Sequence, residues 1–170
     1  MNYDDENLKI IEDNILELMP LEYVKNYLRI DNNCDDEFIK NIIYFAVEYA
    51  EKMTGKMFGT KKYELSFLAK EQISKIDKTP ILIGEILIFS IDDTEILTSE
   101  YNLKNGVIYL NKTKSGNVKM TFISHGNDIL ADIKQAMLFH IASIYQYKNG
   151  DCLIPQATQE IYSLYRKIKI

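Results

Sequence analysis

The chain has 170 residues and a mass of 19.8 kDa; 46% of the residues are hydrophobic and 26% are charged. This composition is typical of a globular protein and excludes collagen-like, low-complexity and wholly disordered chains. The net charge of −5 lies in residues 1–19, which hold six acidic residues and one lysine, whereas residues 20–170 hold 19 of each sign. Because the only dense basic stretch is at the C-terminus, sequence-specific DNA binding is not expected.

The cysteines and the apolar runs indicate a cytoplasmic origin. Cys34 and Cys152 form no CxxC motif and no disulfide framework, which favours two reduced thiols. No basic-then-apolar signal peptide opens the sequence, and no apolar run approaches the 18 or so residues of a membrane span. We therefore expect no membrane partner.

The first third of the chain is predicted to be helical. Leu8, Ile11, Ile15 and Leu18 are spaced three, four and three residues apart, which predicts an amphipathic helix and makes residues 1–19 an acidic helical arm. A short helix is predicted over residues 20–29. A longer one is predicted over 36–54, with an apolar face broad enough for a central position or a subunit interface.

The middle of the chain changes to a period of two. Lys61–Ala69 alternates apolar and polar residues and predicts a half-buried strand. Residues 101–104 and 107–110 flank Asn105-Gly106, the pair that favours a type I′ hairpin turn. Residues 114–117 are predicted to form a further turn before a strand over 118–123. The interpretation is an antiparallel meander.

Helical patterns return over residues 128–148 and 156–168. Because strands and helices do not alternate, the predicted class is α+β: a helical bundle with an inserted antiparallel β-meander. The predicted organisation is the arm 1–19 followed by a single domain over 20–170. That domain would comprise helical residues 20–55, a β-insert over 61–123 and helical residues 128–168.

The sequence contains no concentrated catalytic, metal-binding or cofactor-binding motif, so none of these sites is predicted. His140 lies on an apolar helical row, which favours a core or interface histidine. The alternative from another class is a small α+β enzyme with a site assembled from His125, Asp128 and Asp132. A second alternative is a non-viral protein-interaction module.

The remaining functional signal is the tyrosine content. The chain has 12 tyrosines, and because tyrosine is enriched at interfaces, they favour a surface that binds partner proteins. Tyr162, Tyr165, Arg166 and Lys167 can form an aromatic–basic face. The same tyrosines can equally cover the core.

Several segments together resemble the head–tail connector proteins of long-tailed bacteriophages. They are residues 20–31 (PLEYVKNYLRID), 46–55 (AVEYAEKMTG), 132–145 (DIKQAMLFHIASIY) and 161–166 (IYSLYR). The strand-rich middle resembles the subgroup that carries a β-insert. One departure is Leu130, where the family often has proline, and the acidic arm lies outside the usual pattern.

The resemblance implies a structural adaptor without enzymatic activity or cofactors, located in the virion neck and assembled in the bacterial cytoplasm. It implies a dodecameric ring under the portal protein that extends the DNA channel and carries the tail or a stopper protein. DNA would then be only passing cargo. Under this reading the basic C-terminal end docks on the portal, through Tyr162, Tyr165, Arg166, Lys167 and Lys169. Subunit packing would use Phe38, Phe45, Tyr49, Met137 and Ile141.

Overall fold

The computed structural model describes residues 4–76, 81–147 and 154–166. Within them lie five α-helices: α1 (Ile15–Leu18), α2 (Leu21–Leu28), α3 (Asp36–Thr54), α4 (Ala131–Gln146) and α5 (Gln156–Leu164). The same residues contain six strands: β1 (Asp4–Asp13), β2 (Thr60–Ile76), β3 (Glu85–Ile91), β4 (Thr94–Glu95), β5 (Tyr101–Lys104) and β6 (Val107–His125). The α+β class predicted from the sequence is confirmed.

The chain divides into two units, each with its own core. The sheet unit is built from the N-terminal residues up to Asp13 together with Thr60–His125. The helical unit is built from Asn14–Gly59 together with the residues from Gly126 onward. The prediction of one domain over 20–170 with a separate arm is therefore corrected, because the N-terminal strand belongs to the same unit as the inserted strands.

Helix α3 has the bounds that its sequence predicts. Asp36 and Glu37 lie in its first turn, where acidic side chains complement the partial positive charge of a helix N-terminus. Gly55 ends it with a left-handed backbone (φ 66°), and the Gly55 N–H bonds the Glu51 carbonyl. One face is fully buried in the helical unit and packs with residues of α4 and α5 in a single apolar core.

Two polar contacts fix the start of α3 against its neighbours. The buried Lys25 Nζ lies 2.6 Å from Asn33 Oδ1 and 2.9 Å from Asp36 Oδ1, which joins α2 to the loop and first turn that follow it. The hydrogen bond with Asp36 raises the pKa of the Lys25 ammonium. The Tyr145 hydroxyl of α4 donates to Asp35 Oδ2 at 2.6 Å.

All strand pairs are antiparallel, but the strand order is not that of a meander. The order is β1-β2-β6-β3-β4, and β5 pairs with the first part of β6. Strand β6 is 19 residues long and pairs with β2 along much of its length. On its other side, its first residues form a hairpin with β5 and residues 118–123 pair with β3. The predicted meander is thus corrected in its connectivity, because a meander would pair each strand with the next along the chain.

The N-terminal arm is a strand rather than the predicted helix. β1 pairs antiparallel with β2, from Asp4 opposite Leu68 to Asp13 opposite Lys61. Only Ile15–Leu18, the end of the predicted helix, is helical. The apolar spacing is compatible with a helix, but the long-range pairing with β2 supplies backbone hydrogen bonds that an isolated short helix does not outweigh.

Candidate assembly surfaces

The residues of the alternative enzymatic site make contacts of other kinds. His125 Nδ1 lies 3.3 Å from the Thr60 hydroxyl, at the end of the ladder that joins β2 and β6. The Asp132 carboxylate accepts a 2.6 Å hydrogen bond from the Tyr165 hydroxyl, and Asp128 is exposed. The first contact lies at the end of two paired strands, and the second links the start of α4 to the residue that follows α5, so the structure does not bring His125 and Asp132 into a shared contact.

Within residues 4–76, 81–147 and 154–166, no group of three or more His, Cys, Asp or Glu side chains is placed to hold a metal ion. None of the helices in that part of the chain combines the length and apolar character needed to cross a bilayer.

The predicted portal-binding residues differ in exposure: Tyr162 is buried, Tyr165 is half-buried and Arg166 is exposed. Tyr162 is fully buried in the core of the helical unit, so the prediction that it contacts a partner directly is wrong. It lies on the inner face of α5, where its large ring fills the core beside Tyr49, with ring centroids 6.0 Å apart. The reading in which this tyrosine covers the core is the correct one.

Tyr165 and Arg166 directly follow the end of α5. Tyr165 is half-buried, with the Lys56 ammonium 5.4 Å from the centre of its ring. The hydrogen bond to Asp132 raises the pKa of the Tyr165 phenol, because the carboxylate favours the protonated hydroxyl. Arg166 is exposed. Lys167 and Lys169 lie outside the described residues, so their predicted role stays a prediction.

The predicted subunit-packing residues also divide by exposure. Phe38 and Phe45 lie two turns apart on α3, and Phe45 keeps 51% of its surface exposed. Tyr49 is half-buried and packs on the core. Met137 and Ile141 of α4 are fully buried in the core of their own chain, so the prediction that they contact a second subunit is wrong. Their apolar character reflects packing within the chain.

Beside Phe45 and Tyr49 lies a buried histidine. The His140 ring is edge-on to both, with centroid distances of 5.6 Å and 5.1 Å. Neither of its ring nitrogens has a hydrogen-bond partner among the residues described, and burial holds the pKa of the imidazole below its ordinary value. This position agrees with a core histidine and gives the ring a packing role.

Two further exposed surfaces were not singled out from the sequence. Tyr23 and Tyr27 lie one turn apart on α2, and the Lys134 ammonium lies 4.7 Å from the centre of the Tyr23 ring. In the sheet unit, Ile10 and Ile11 are adjacent exposed residues on β1. The two tyrosines lie away from the buried residues of α2, and their helical positions are enough to indicate this exposure. The exposure of the two isoleucines follows from strand β1, whereas the sequence pattern predicts a helix there.

Together, these features describe a two-unit α+β protein with exposed apolar surface on several elements. Residues 18–81 match the model of the phage gp6-like head-tail connector protein family. The family resemblance drawn from the sequence is thereby confirmed over this segment. No curated protein matches the chain.

Solved structures of the same fold come from gene transfer agent (GTA) particles. One is a chain described as the neck of an empty GTA particle computed with C6 symmetry; its TM-score is 0.68 at 13% identity, covering 96% of this chain and 97% of that chain. Another, from the neck of a native GTA particle computed with C12 symmetry, gives a TM-score of 0.66 at 14% identity over 96% and 97% of the two chains. At this identity the likeness establishes the fold, and it extends over both units.

Proposed function

We propose that this protein is a structural head–tail connector. It forms a ring beneath the portal of a tailed particle, extends the DNA channel and provides the platform for the tail or a stopper protein. The observation that carries the proposal is the combination of two likenesses. The connector-family match covers residues 18–81, and the fold is similar to that of chains from particle necks over 96% of this chain.

The inserted sheet unit supports a place in the connector subgroup with a β-insert. Its strands β2 to β6 follow α3 and precede α4, so the helical unit is built from two separated stretches of chain, and β1 joins these strands from the N-terminal side of α1. Such an insertion leaves the helical core intact while it adds a second surface for contacts. The neck location and the assembly in a bacterial cytoplasm belong to the same proposal.

A dodecameric ring needs a heterologous interface that closes after twelve copies. The exposed aromatic residues on α3, Phe38 and Phe45, supply apolar surface for one side of such an interface. Each ring also contacts α4, Phe38 at Tyr145 and Phe45 at His140, so a neighbouring subunit would pack on the part of each ring that stays exposed. The C12 symmetry of one matched neck is consistent with a twelve-fold ring.

The charge balance suits a channel through which DNA passes. Residues 20–170 carry equal numbers of acidic and basic residues, and residues 1–19 are acidic. A wall without excess positive charge does not hold phosphates, so DNA moves through it as cargo. This role involves no enzymatic step and no cofactor.

Portal docking is assigned to the C-terminal end, through Tyr165, Arg166, Lys167 and Lys169. Arg166 is exposed beyond α5, and the two lysines continue the basic stretch. Tyr162 contributes to docking only indirectly, because its buried ring packs α5 against the core of the helical unit. We expect the basic stretch to meet an acidic surface of the portal.

The test is co-sedimentation of the full-length protein with the portal ring encoded beside it, followed by a count of bound copies. We expect saturable binding at one copy per portal subunit. The double substitution Arg166→Glu and Lys167→Glu should weaken binding, whereas the matched double substitution Lys104→Glu and Lys112→Glu should leave it unchanged. Absence of binding to a folded portal at low salt would contradict the proposal.

A further inference from the structure

Strand β1 leaves one edge of the sheet unpaired. It pairs with β2 on one side, and no strand among residues 4–76, 81–147 and 154–166 pairs with its other side. In an antiparallel ladder, alternate residues direct their N–H and C=O groups away from the partner strand. Asn7–Glu12 therefore offers a row of backbone donors and acceptors to a further strand.

Apolar side chains accompany this unpaired edge. Ile10 and Ile11 are 53% and 49% exposed. The pairing steps from Ile10 opposite Tyr63 to Glu12 opposite Lys62, so Ile11 is the extra residue of a bulge. Adjacent exposed isoleucines on an unpaired edge offer apolar surface that can recruit another chain.

The charge of this edge selects the kind of strand that covers it. β1 carries five acidic residues and one lysine (DDENLKIIED). Pairing of β1 with β1 of a second copy would bring two acidic strands together, which disfavours self-association through this edge.

We infer that β1 accepts an extended, lysine- or arginine-bearing segment of the tail or stopper protein by strand addition. The inference rests on the proposed function, since it names the kind of partner that binds this edge. Main-chain hydrogen bonds to Asn7–Glu12 supply affinity, and Ile10 and Ile11 provide apolar contact. The acidic side chains select a basic segment over a neutral or acidic one.

The probe is an end-capped ten-residue peptide of alternating lysine and valine, titrated into the full-length protein. A control peptide keeps the lysines but replaces the valines by proline, which removes N–H donors and prevents strand pairing. We expect saturable binding of the first peptide, with slowed amide hydrogen exchange at alternate residues of Asn7–Glu12. The proline peptide should bind about tenfold more weakly, because it forms fewer main-chain hydrogen bonds.

Variants locate the binding on β1. The double substitution Ile10→Thr and Ile11→Thr keeps β-forming residues but removes the apolar contact. It should therefore weaken binding of the lysine–valine peptide about tenfold. Leu87→Thr with Ile88→Thr, which alters an equally exposed pair on β3, is the matched control and should leave binding unchanged. Equal loss in both variants would overturn the inference, as would equal binding of the proline peptide. Slow exchange of the outward β1 amides in the free protein would also overturn it, because the edge would already be covered.

Failure here can be told apart from failure of the connector proposal. The Ile10→Thr, Ile11→Thr variant should still co-sediment with the portal ring in the same stoichiometry as the unaltered protein. Portal binding without peptide binding would overturn only the strand addition. Loss of portal binding by the unaltered protein would overturn the connector role itself.

Discussion

At the scale of single residues, the most informative side chains are two buried polar groups in the helical unit. The His140 ring and the Tyr162 hydroxyl are enclosed by apolar and aromatic side chains, and neither has a hydrogen-bond partner in the described part of the chain. A buried polar group without a hydrogen-bond partner lowers the free energy of unfolding, so each of these two groups leads to a specific prediction about stability.

His140 makes the stability dependent on pH. Burial holds the pKa of its imidazole below the ordinary value of 6.5, so the unfolded chain takes up a proton at a higher pH than the folded chain. Stability therefore rises with pH through this range and is lost as the pH falls below about 6.5. The slope from this one group is at most about 1.4 kcal/mol per pH unit.

Denaturant titrations between pH 7 and pH 5 test this effect. We expect the His140→Leu variant to lose the histidine contribution to the pH slope, while His125→Gln, at an exposed site, keeps it. An identical slope in the unaltered protein and in His140→Leu would show that His140 is not the group responsible.

Tyr162 predicts a substitution that stabilises the protein. Tyr162→Phe removes a buried hydroxyl without a partner and keeps the ring, so the free energy of unfolding should rise by about 1 kcal/mol. Tyr165→Phe is the contrasting control, because it breaks the 2.6 Å hydrogen bond to Asp132 and should lower stability. Thermal unfolding measures both. Destabilisation by Tyr162→Phe would mean that the hydroxyl is satisfied.

The sequence predicted some of these residues and not others. The apolar row around His140 predicted its burial correctly. Tyr162 lies in α5 and Tyr165 directly follows it, and composition alone does not reveal that the first faces the core while the second stays near the surface. Met137 and Ile141 illustrate the same difficulty, since an apolar residue on a broad helical face suits a core and an interface equally well.

At the scale of elements, the junction of α2 and α3 depends on one lysine. Lys25 is buried, and its ammonium contacts Asn33 and Asp36. Lys25→Met should lower the melting temperature by several degrees, because it removes these contacts and leaves Asp36 without its cation. Lys40→Met, which breaks only the exposed pair with Glu37, should change it little. Equal effects in a thermal melt would contradict this assignment.

The β5–β6 hairpin depends on its turn. Asn105 and Gly106 have φ angles of 51° and 74°, as the predicted type I′ turn requires. An added Cβ at Gly106 would lie 2.9 Å from Leu82 Cγ, so Gly106→Ala should cost about 1 kcal/mol or more. Asn105→Gly accepts the same backbone and should stay within about 0.5 kcal/mol in chemical denaturation. Equal stability of the two variants would contradict this account of the turn.

A helix or strand can be predicted from the sequence where its local sequence signals agree with one another. Helix α3 has consistent apolar periodicity, first-turn acids and a terminal glycine, and its observed bounds equal the predicted ones. Strand β1 was missed because the bulge at Ile11 breaks the period of two and leaves a spacing that resembles a helix. Residues 114–117 were predicted as a turn, but they lie within β6, where pairing with β2 and other long-range contacts override the local preference for a turn.

At the scale of the whole molecule, the chain combines a helical unit with an inserted sheet unit. The two-unit division and the strand order both depend on long-range pairing, which single-sequence patterns do not encode. The sequence nevertheless predicted the α+β class and the family resemblance, because the helical segments around residues 20–55 carry most of the signal. The surfaces assigned to partners follow from this architecture: α3 and the C-terminal end on the helical unit, and the β1 edge on the sheet unit.

The central claim is that this chain is a structural ring component of a particle neck. The most direct test is a cryo-EM reconstruction of the neck of the particles encoded by the surrounding genes. The account predicts a closed ring of this fold directly beneath the portal, with one copy per portal subunit and the channel running through its centre. Absence of this protein from the neck of intact particles, or its presence there only as a single copy, would contradict the account.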